Sequence, residues 1–525
     1  MLLIIGALFC GLFSLWLGKD LNWDAFNYHF YNGWAAWTGH IWANIAPAQL
    51  QSFLNPALDI PQYLMIAHLP AWCVGFIIGA FQGLSFFLVV AIIRSVEGLG
   101  RSIADTALLI IAGASALAGP VTISEYGSTM GDFTLSVPVL LAVLLTVRSF
   151  QARMRRNAIS MITVAGLLIG ATTGLKYTMA VYGVAAACSL LICPPPAASR
   201  LKIMIPFSLA GLIGFLVTAG PWMAVLRSHY DSPLFPFFNA WFRSPYAKQA
   251  SWFNSGFTFT RWTQWLTFPF SLLHEGQHHL QIPFRSIRLA VASCCLISST
   301  ILDAVLWWRY RDRQGAVPGN IVGRLSPAQH WMLLYFGLSY LVWAKVFGDY
   351  RYFLTSEIFC PVVIVIPICQ ITQVRAARVT VVALMTIAMA MFVSVGSSWG
   401  RGAWAGSSYF GVGLPSTSPE KDSMVLMTGI QPMAFMVPYF GGDIRFVRVQ
   451  SNFDPVETPL YRQLVQRTVT SYRGFLYLLT TEPEVAGSTA IIRQYGLLIM
   501  DGSCEPVRSL YGLKVVLCRL ARREG

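Results

Sequence analysis

The chain has 525 residues, of which 55% are hydrophobic and only 11% charged. Soluble domains carry roughly 25% charged residues, so this composition excludes a water-soluble surface over most of the chain. The net charge of +14 falls between apolar runs, which reads as membrane topology and not as a nucleic-acid surface.

A membrane span needs roughly 20 apolar residues, fewer inside a bundle. Runs near residues 2–18, 64–93, 103–120, 133–149, 158–173, 177–194, 203–221, 287–308, 329–348, 353–372 and 379–397 predict about eleven spans. No small-residue cleavage site follows the first run; Lys19 and Asp20 do, so a retained first helix is expected. Residues 19–62 then form a long loop. Its stretch from Asp24 to Trp37 predicts a helix with Phe26, Phe30, Trp34 and Trp37 near one face, lying flat in the membrane interface. Gly174-Leu175-Lys176 interrupts the fifth apolar region. Basic clusters on either side, Arg153, Arg155 and Arg156 before and Arg200 and Lys202 after, predict two crossings there.

A second long loop, residues 222–286, holds Phe235-Pro236-Phe237-Phe238 and the histidines His274, His278 and His279. Those histidines suit ligands or acid/base groups, and equally a solvated loop. Residues 401–525 change character. Short apolar runs at 424–427, 490–492, 496–500 and 514–518 alternate with polar helical stretches and predict a small α/β domain after a transmembrane domain of residues 1–400.

Arg94 and Arg101, Arg309, Arg311 and Arg313, and Arg375 and Arg378 join the basic clusters on one side, predicted cytoplasmic. Asp20, Asp24, Asp59, Glu125, Asp132, Asp231, Glu275 and Asp349 collect on the other. The N-terminus is therefore expected inside and the C-terminal domain outside, in the periplasm of a bacterial inner membrane. There is no CxxC pair among the ten cysteines. Cys504 and Cys518 fall in the outside domain, on two short strands joined by a turn at Tyr511-Gly512, and a disulfide between them is expected.

Four charged positions at outside ends of spans suit chemistry. Asp24 can take a proton from a hydroxyl as a general base, or simply cap a helix starting at Ala25. Asp132, after Glu125 in the same loop, faces the same side. The two carboxylate loops could bracket a reacting centre or bind a divalent cation (Mg, Mn or Ca). Lys176 and Arg351 are basic where positive charge is scarce and suit a lipid-linked phosphate; the plain alternative is pairing with Asp349 or snorkelling.

With these segments in order, the chain resembles the GT-C superfamily of membrane glycosyltransferases, which use polyprenyl-phosphate-linked sugars. The resemblance runs over residues 1–400. It rests on Asn22-Trp23-Asp24-Ala-Phe-Asn27-Tyr28-His29 continuing to Asn55-Pro56 and Asp59-Ile60-Pro61, on Gly131-Asp132, on Gly220-Pro221-Trp222 with Ser232-Pro233-Leu234-Phe235-Pro236, and on Gly348-Asp349-Tyr350-Arg351-Tyr352-Phe353-Leu354. In the last, Thr355 stands where the family usually has Pro.

The resemblance implies an inverting glycosyltransferase moving a sugar from a polyprenyl-phosphate donor to a hydroxyl of a glycan or lipid acceptor. Asp24 would be the catalytic acid-base residue with Asp132 beside the reaction. Arg351 and Lys176 would hold the donor phosphate. Tyr28, His29, Glu125 and Asp59 would line the substrate. A transporter or flippase of a lipid-linked glycan is the competing expectation; it would place polar groups along the spans, of which Asp303 is the main instance.

Overall fold

The structure, a computed structural model, describes residues 1–525 except 101, 251–254, 275–278, 280, 312–322, 396–397, 405, 407, 417, 452–455 and 524–525. Arg101, Glu275, His278 and Arg313 therefore lie outside the described residues.

Each predicted apolar run contains a helix. Among the described residues six are long and apolar enough to cross a membrane: Ala71–Glu97, Asp132–Phe150, Arg155–Leu175, Arg200–Tyr230, Arg288–Tyr310 and Tyr350–Ile371. Leu2–Leu17, Ile103–Ala116 and Tyr177–Ile192 are shorter apolar helices. Pro327–Val346 and Arg375–Met391 fill the remaining two runs. The chain is a polytopic helical membrane protein with a small C-terminal sheet domain. The predicted second run begins too early. Asp59–His68 is a separate helix, and Leu69 is extended (φ −111°, ψ 153°) because the following Pro70 disfavours helical geometry before it. The break near residue 176 is present: Lys176 is extended (φ −149°, ψ 112°) and separates two helices.

The chain divides into two compact units. The first contains Met1–Leu17, Phe76–Thr218 and Asn254–Trp399. Its helix Leu354–Ile371 is buried along nearly its whole length, as an all-round apolar helix must be at the centre of a bundle. Gly166 and Gly170 have the small-residue spacing that lets membrane helices approach closely. A Cβ on Gly170 would collide with the Gly211 carbonyl of the helix Arg200–Tyr230.

The second unit contains Gly18–Gly75, Ala219–Phe253 and Gly400–Gly525, so both long loops belong with the C-terminal segment. Its sheet runs in the order Arg445–Arg448, Met424–Met427, Leu476–Thr481, Val515–Arg522, Leu497–Ile499, with Glu505–Val507 also paired to Val515–Arg522. The first two pairings are parallel and the others antiparallel. Met424 to Met427 are all buried, the continuous apolar pattern of a central strand. One expected strand is absent. Ala490–Ile492 lies in the helix Val485–Arg493, which buries Ser488 and Ile492, one turn apart. One core joins the three segments: Leu50 and Phe53, Trp222, Leu226 and Phe235, and Met424, Leu426 and Leu478 pack together.

The first loop does form a helix, but not one lying on a membrane interface. Phe26 and Phe30 are buried within this unit. Phe26 meets Phe435 edge-on at 4.6 Å and Tyr511 tilted at 5.0 Å, and Phe30 sits 5.0 Å from Phe410. The aromatic face is satisfied by protein instead of lipid; only Trp37, 60% exposed, stays outside. Cys504 and Cys518 are joined by a disulfide, set by the pairing of Leu517 with Glu505 beside them.

Candidate functional site

In the first unit, three helix ends bring three distant charges together. The helix Asp132–Phe150 follows Gly131, whose left-handed backbone (φ 88°) turns the chain sharply into it. The helix Arg155–Leu175 ends just before Lys176. The short turn Tyr350–Phe353 is capped by Asp349, whose Oδ1 accepts from the Arg351 backbone N–H at 3.1 Å.

Lys176 Nζ lies 2.7 Å from Asp132 Oδ1, and Arg351 Nε lies 2.7 Å from Oδ2. Asp132 and Arg351 are buried, while the Lys176 side chain keeps 16% of its surface. Lys176 also donates to the Met130 carbonyl at 2.9 Å. Arg351 lies over the rings of Tyr352 and Trp399, at 5.6 and 5.7 Å. The alternative, pairing of Arg351 with Asp349, is met at the backbone: the Asp349 carboxylate takes the Arg351 N–H and Gln281 Nε2, while the guanidinium Nε takes Asp132.

Glu125 completes this group. Its Oε2 accepts from the Phe133 N–H at 3.2 Å, and Oε1 has no hydrogen-bond partner. Burial pushes its carboxyl well above the usual range, and the Asp132 charge pushes it further. Burial likewise raises the Asp349 carboxyl to about 6. The group thus holds two cations, Lys176 and Arg351, against the Asp132 carboxylate, with the Asp349 carboxyl beside Arg351. Both Asp132 oxygens face cations, which does not fit this carboxylate as a ligand of a divalent cation. Among the described residues no group of three His, Cys, Asp or Glu could hold a metal ion.

The second unit carries the other predicted residues. Asn22 Oδ1 accepts from the Ala25 N–H at 2.7 Å, and Asn22 Nδ2 donates to Asp20 at 2.8 Å. Asn22, not Asp24, is therefore the helix cap. Asp24 has helical backbone angles (φ −66°, ψ −39°) and makes no capping bond. One turn on, His29 Nδ1 lies 2.6 Å from Asp59 Oδ1, both buried. The Tyr28 ring packs 4.0 Å from the His29 ring.

No family model matches the sequence. No curated protein matches it either. Among solved structures, the crystal structure of ArnT from Cupriavidus metallidurans in the apo state is similar to this chain. The TM-score is 0.45 and the identity 10%, covering 99% of this chain and 97% of that one. A likeness at that score carries no argument about the reaction.

Of His274, His278 and His279 in the second loop, His274 and His279 are described. His274 is exposed, and His279 Nδ1 is 2.7 Å from the Phe257 carbonyl, tying loop to loop. Asp303, the charge within a span, is held by Arg324 at 2.8 Å and His330 at 3.0 Å, so it fastens helix ends. Sequence reading passed over Glu357. It is fully buried in the helix Leu354–Ile371 and accepts from the Thr122 N–H and hydroxyl at 3.0 and 2.8 Å. A lone acid in an apolar span was its signal.

Proposed function

We propose that the protein is a membrane glycosyltransferase that moves a sugar from a polyprenyl-phosphate donor to a hydroxyl of a glycan or lipid acceptor, at the outer face of the inner membrane. The observation that carries this reading is the pair of cations, Lys176 and Arg351, gathered on Asp132 at the ends of apolar spans. A lipid-linked donor keeps its tail in the bilayer and presents its phosphate at that depth.

Asp24 takes the acceptor proton as the acceptor oxygen attacks the anomeric carbon. The bond from that carbon to the phosphate oxygen breaks, and polyprenyl phosphate leaves with the electron pair. One displacement inverts the anomeric centre. The phosphate gains negative charge as it leaves, so nearby cations favour the transition state over the bound donor. Lys176 has three N–H donors; one goes to the Met130 carbonyl, and the ammonium forms an ion pair with Asp132. His29, oriented by Asp59, and Tyr28 serve the acceptor side, and Glu125, whose burial favours its protonated form, supports the charge group. A flippase reading draws less support, since Asp303 is occupied by Arg324 and His330.

The test is sugar transfer in lipid nanodiscs, with polyprenyl phosphate release followed by mass spectrometry. Wild-type protein should release it only with acceptor present. Asp24→Asn should lose turnover by at least a hundredfold while still binding donor. Near wild-type turnover in Asp24→Asn removes the base assignment; no release under any condition removes the transferase reading.

A further inference from the structure

The second unit contains a cavity of about 100 Å3 that none of these roles uses. Its walls come from the first loop (Gln49, Phe53), from the strand end at Arg448, and from Ser451, Tyr461 and Arg462 of the C-terminal segment. Arg448 is 4% exposed. Its Nε donates to the Pro47 carbonyl at 2.9 Å and its Nη1 to the Gly429 carbonyl at 2.8 Å. Its Nη2 is buried with no hydrogen-bond partner among the described residues. A buried guanidinium N–H left without an acceptor is costly, and a small shift of this side chain, which lines the cavity, toward a bound anion would remove that cost.

Charge on the walls agrees. Arg448 and Arg462 both line the cavity; among the described residues, Glu457, 3.6 Å from Arg462, and Glu484, which acts on Arg448, are acids nearby. Burial lowers the Arg448 pKa to about 9, so it stays charged at neutral pH. The other walls suit a sugar: the aromatic residues Phe53, Tyr461 and Tyr495 line them, and Gln49 and Ser451 keep acceptor capacity beyond their bonds to each other. Gln49 has a left-handed backbone (φ 58°), a strained state for a residue with a Cβ. Gln49 Nε2 donates to Asn27 Oδ1 at 3.2 Å, and Ser451 Oγ donates to Gln49 Oε1 at 3.2 Å. The cavity wall is thus bonded to the helix that begins beside Asp24.

We propose that this cavity binds the oxyanion of an anionic sugar, a carboxylate or phosphoryl group, with Arg448 as its main partner and Arg462 at the rim. As an account of the acceptor, this rests on the transferase reading; as a binding site, it stands alone. The test is calorimetric titration of the full chain in nanodiscs with glucose, glucuronate and glucose 6-phosphate separately. At least one anionic sugar should bind tenfold or more tightly than glucose, and the stronger of the two tells carboxylate from phosphoryl.

Arg448→Gln should abolish the preference, and Asp24→Asn should keep it, so a failed transferase reading leaves this result intact. Should Arg448→Gln not fold, Arg462→Glu at an exposed position decides: it should weaken the anion at least fivefold and leave glucose unchanged. Equal binding of all three sugars, no binding of either anion, or an unaltered preference in the folded variant overturns the proposal.

Discussion

Asp132 is the residue on which the first unit's charge group depends. Removing its charge leaves Lys176 and Arg351 close together and uncompensated, and breaking a buried pair costs about 3–5 kcal/mol. Asp132→Asn should therefore unfold earlier than wild type in thermal melts in detergent; an unchanged midpoint would show that the pairs carry no stability. Glu125 behaves in the opposite sense. Its folded pKa is raised, so the folded state keeps a proton that the unfolded chain releases above about 4.3. That contribution is present at low pH and is lost as pH rises toward the folded value. Glu125→Gln mimics the neutral acid and can still accept from Phe133. Relative to wild type it should gain stability at pH 8 and little at pH 4, read from melts at both values. These charges were legible in the sequence as lone charges at span ends. Their pairing was not, because positions 132, 176 and 351 meet only through the packing of three helices. Asp24 as a cap stood beside Asp24 as a base for a similar reason: Asn22 and Asp24 are both favoured caps, and only the structure separates them.

Among the elements, the apolar runs gave the helices because twenty apolar residues have few other stable states in lipid. What they could not give was how the helices touch. Gly170→Leu should separate the helices Arg155–Leu175 and Arg200–Tyr230, since the Gly211 carbonyl occupies the space a side chain needs. A Cys pair placed across that contact should cross-link in the wild-type background and fail to do so in the variant. Asn22→Ala should weaken the start of the first-loop helix by about 1 kcal/mol, seen as faster amide exchange at Ala25 and Phe26. At Ala490–Ile492 the three apolar residues matched a short strand as well as a helix turn, and the burial of Ser488 one turn before Ile492 decided for the helix.

For the whole molecule, a linear reading put the border at residue 400, yet the second unit draws on three separated stretches of chain. Sequence shows loops as loops; it does not show that Phe53, Trp222 and Leu426 share one core. The disulfide adds to this unit: in the chain-entropy model, closing a loop of this size stabilises by about 3 kcal/mol. Cys504→Ser with Cys518→Ser should lower the melting point of the unit, and mass spectrometry of non-reduced wild-type protein should find the two thiols absent. The burial of Phe26 also has a meaning in time. At roughly 5–20 residues per second, the rings of Phe410, Phe435 and Tyr511 are synthesised tens of seconds after Phe26. Through that interval the first loop has no native cover for its aromatic face. It must wait at the membrane surface, or with a chaperone, until the last part of the chain arrives.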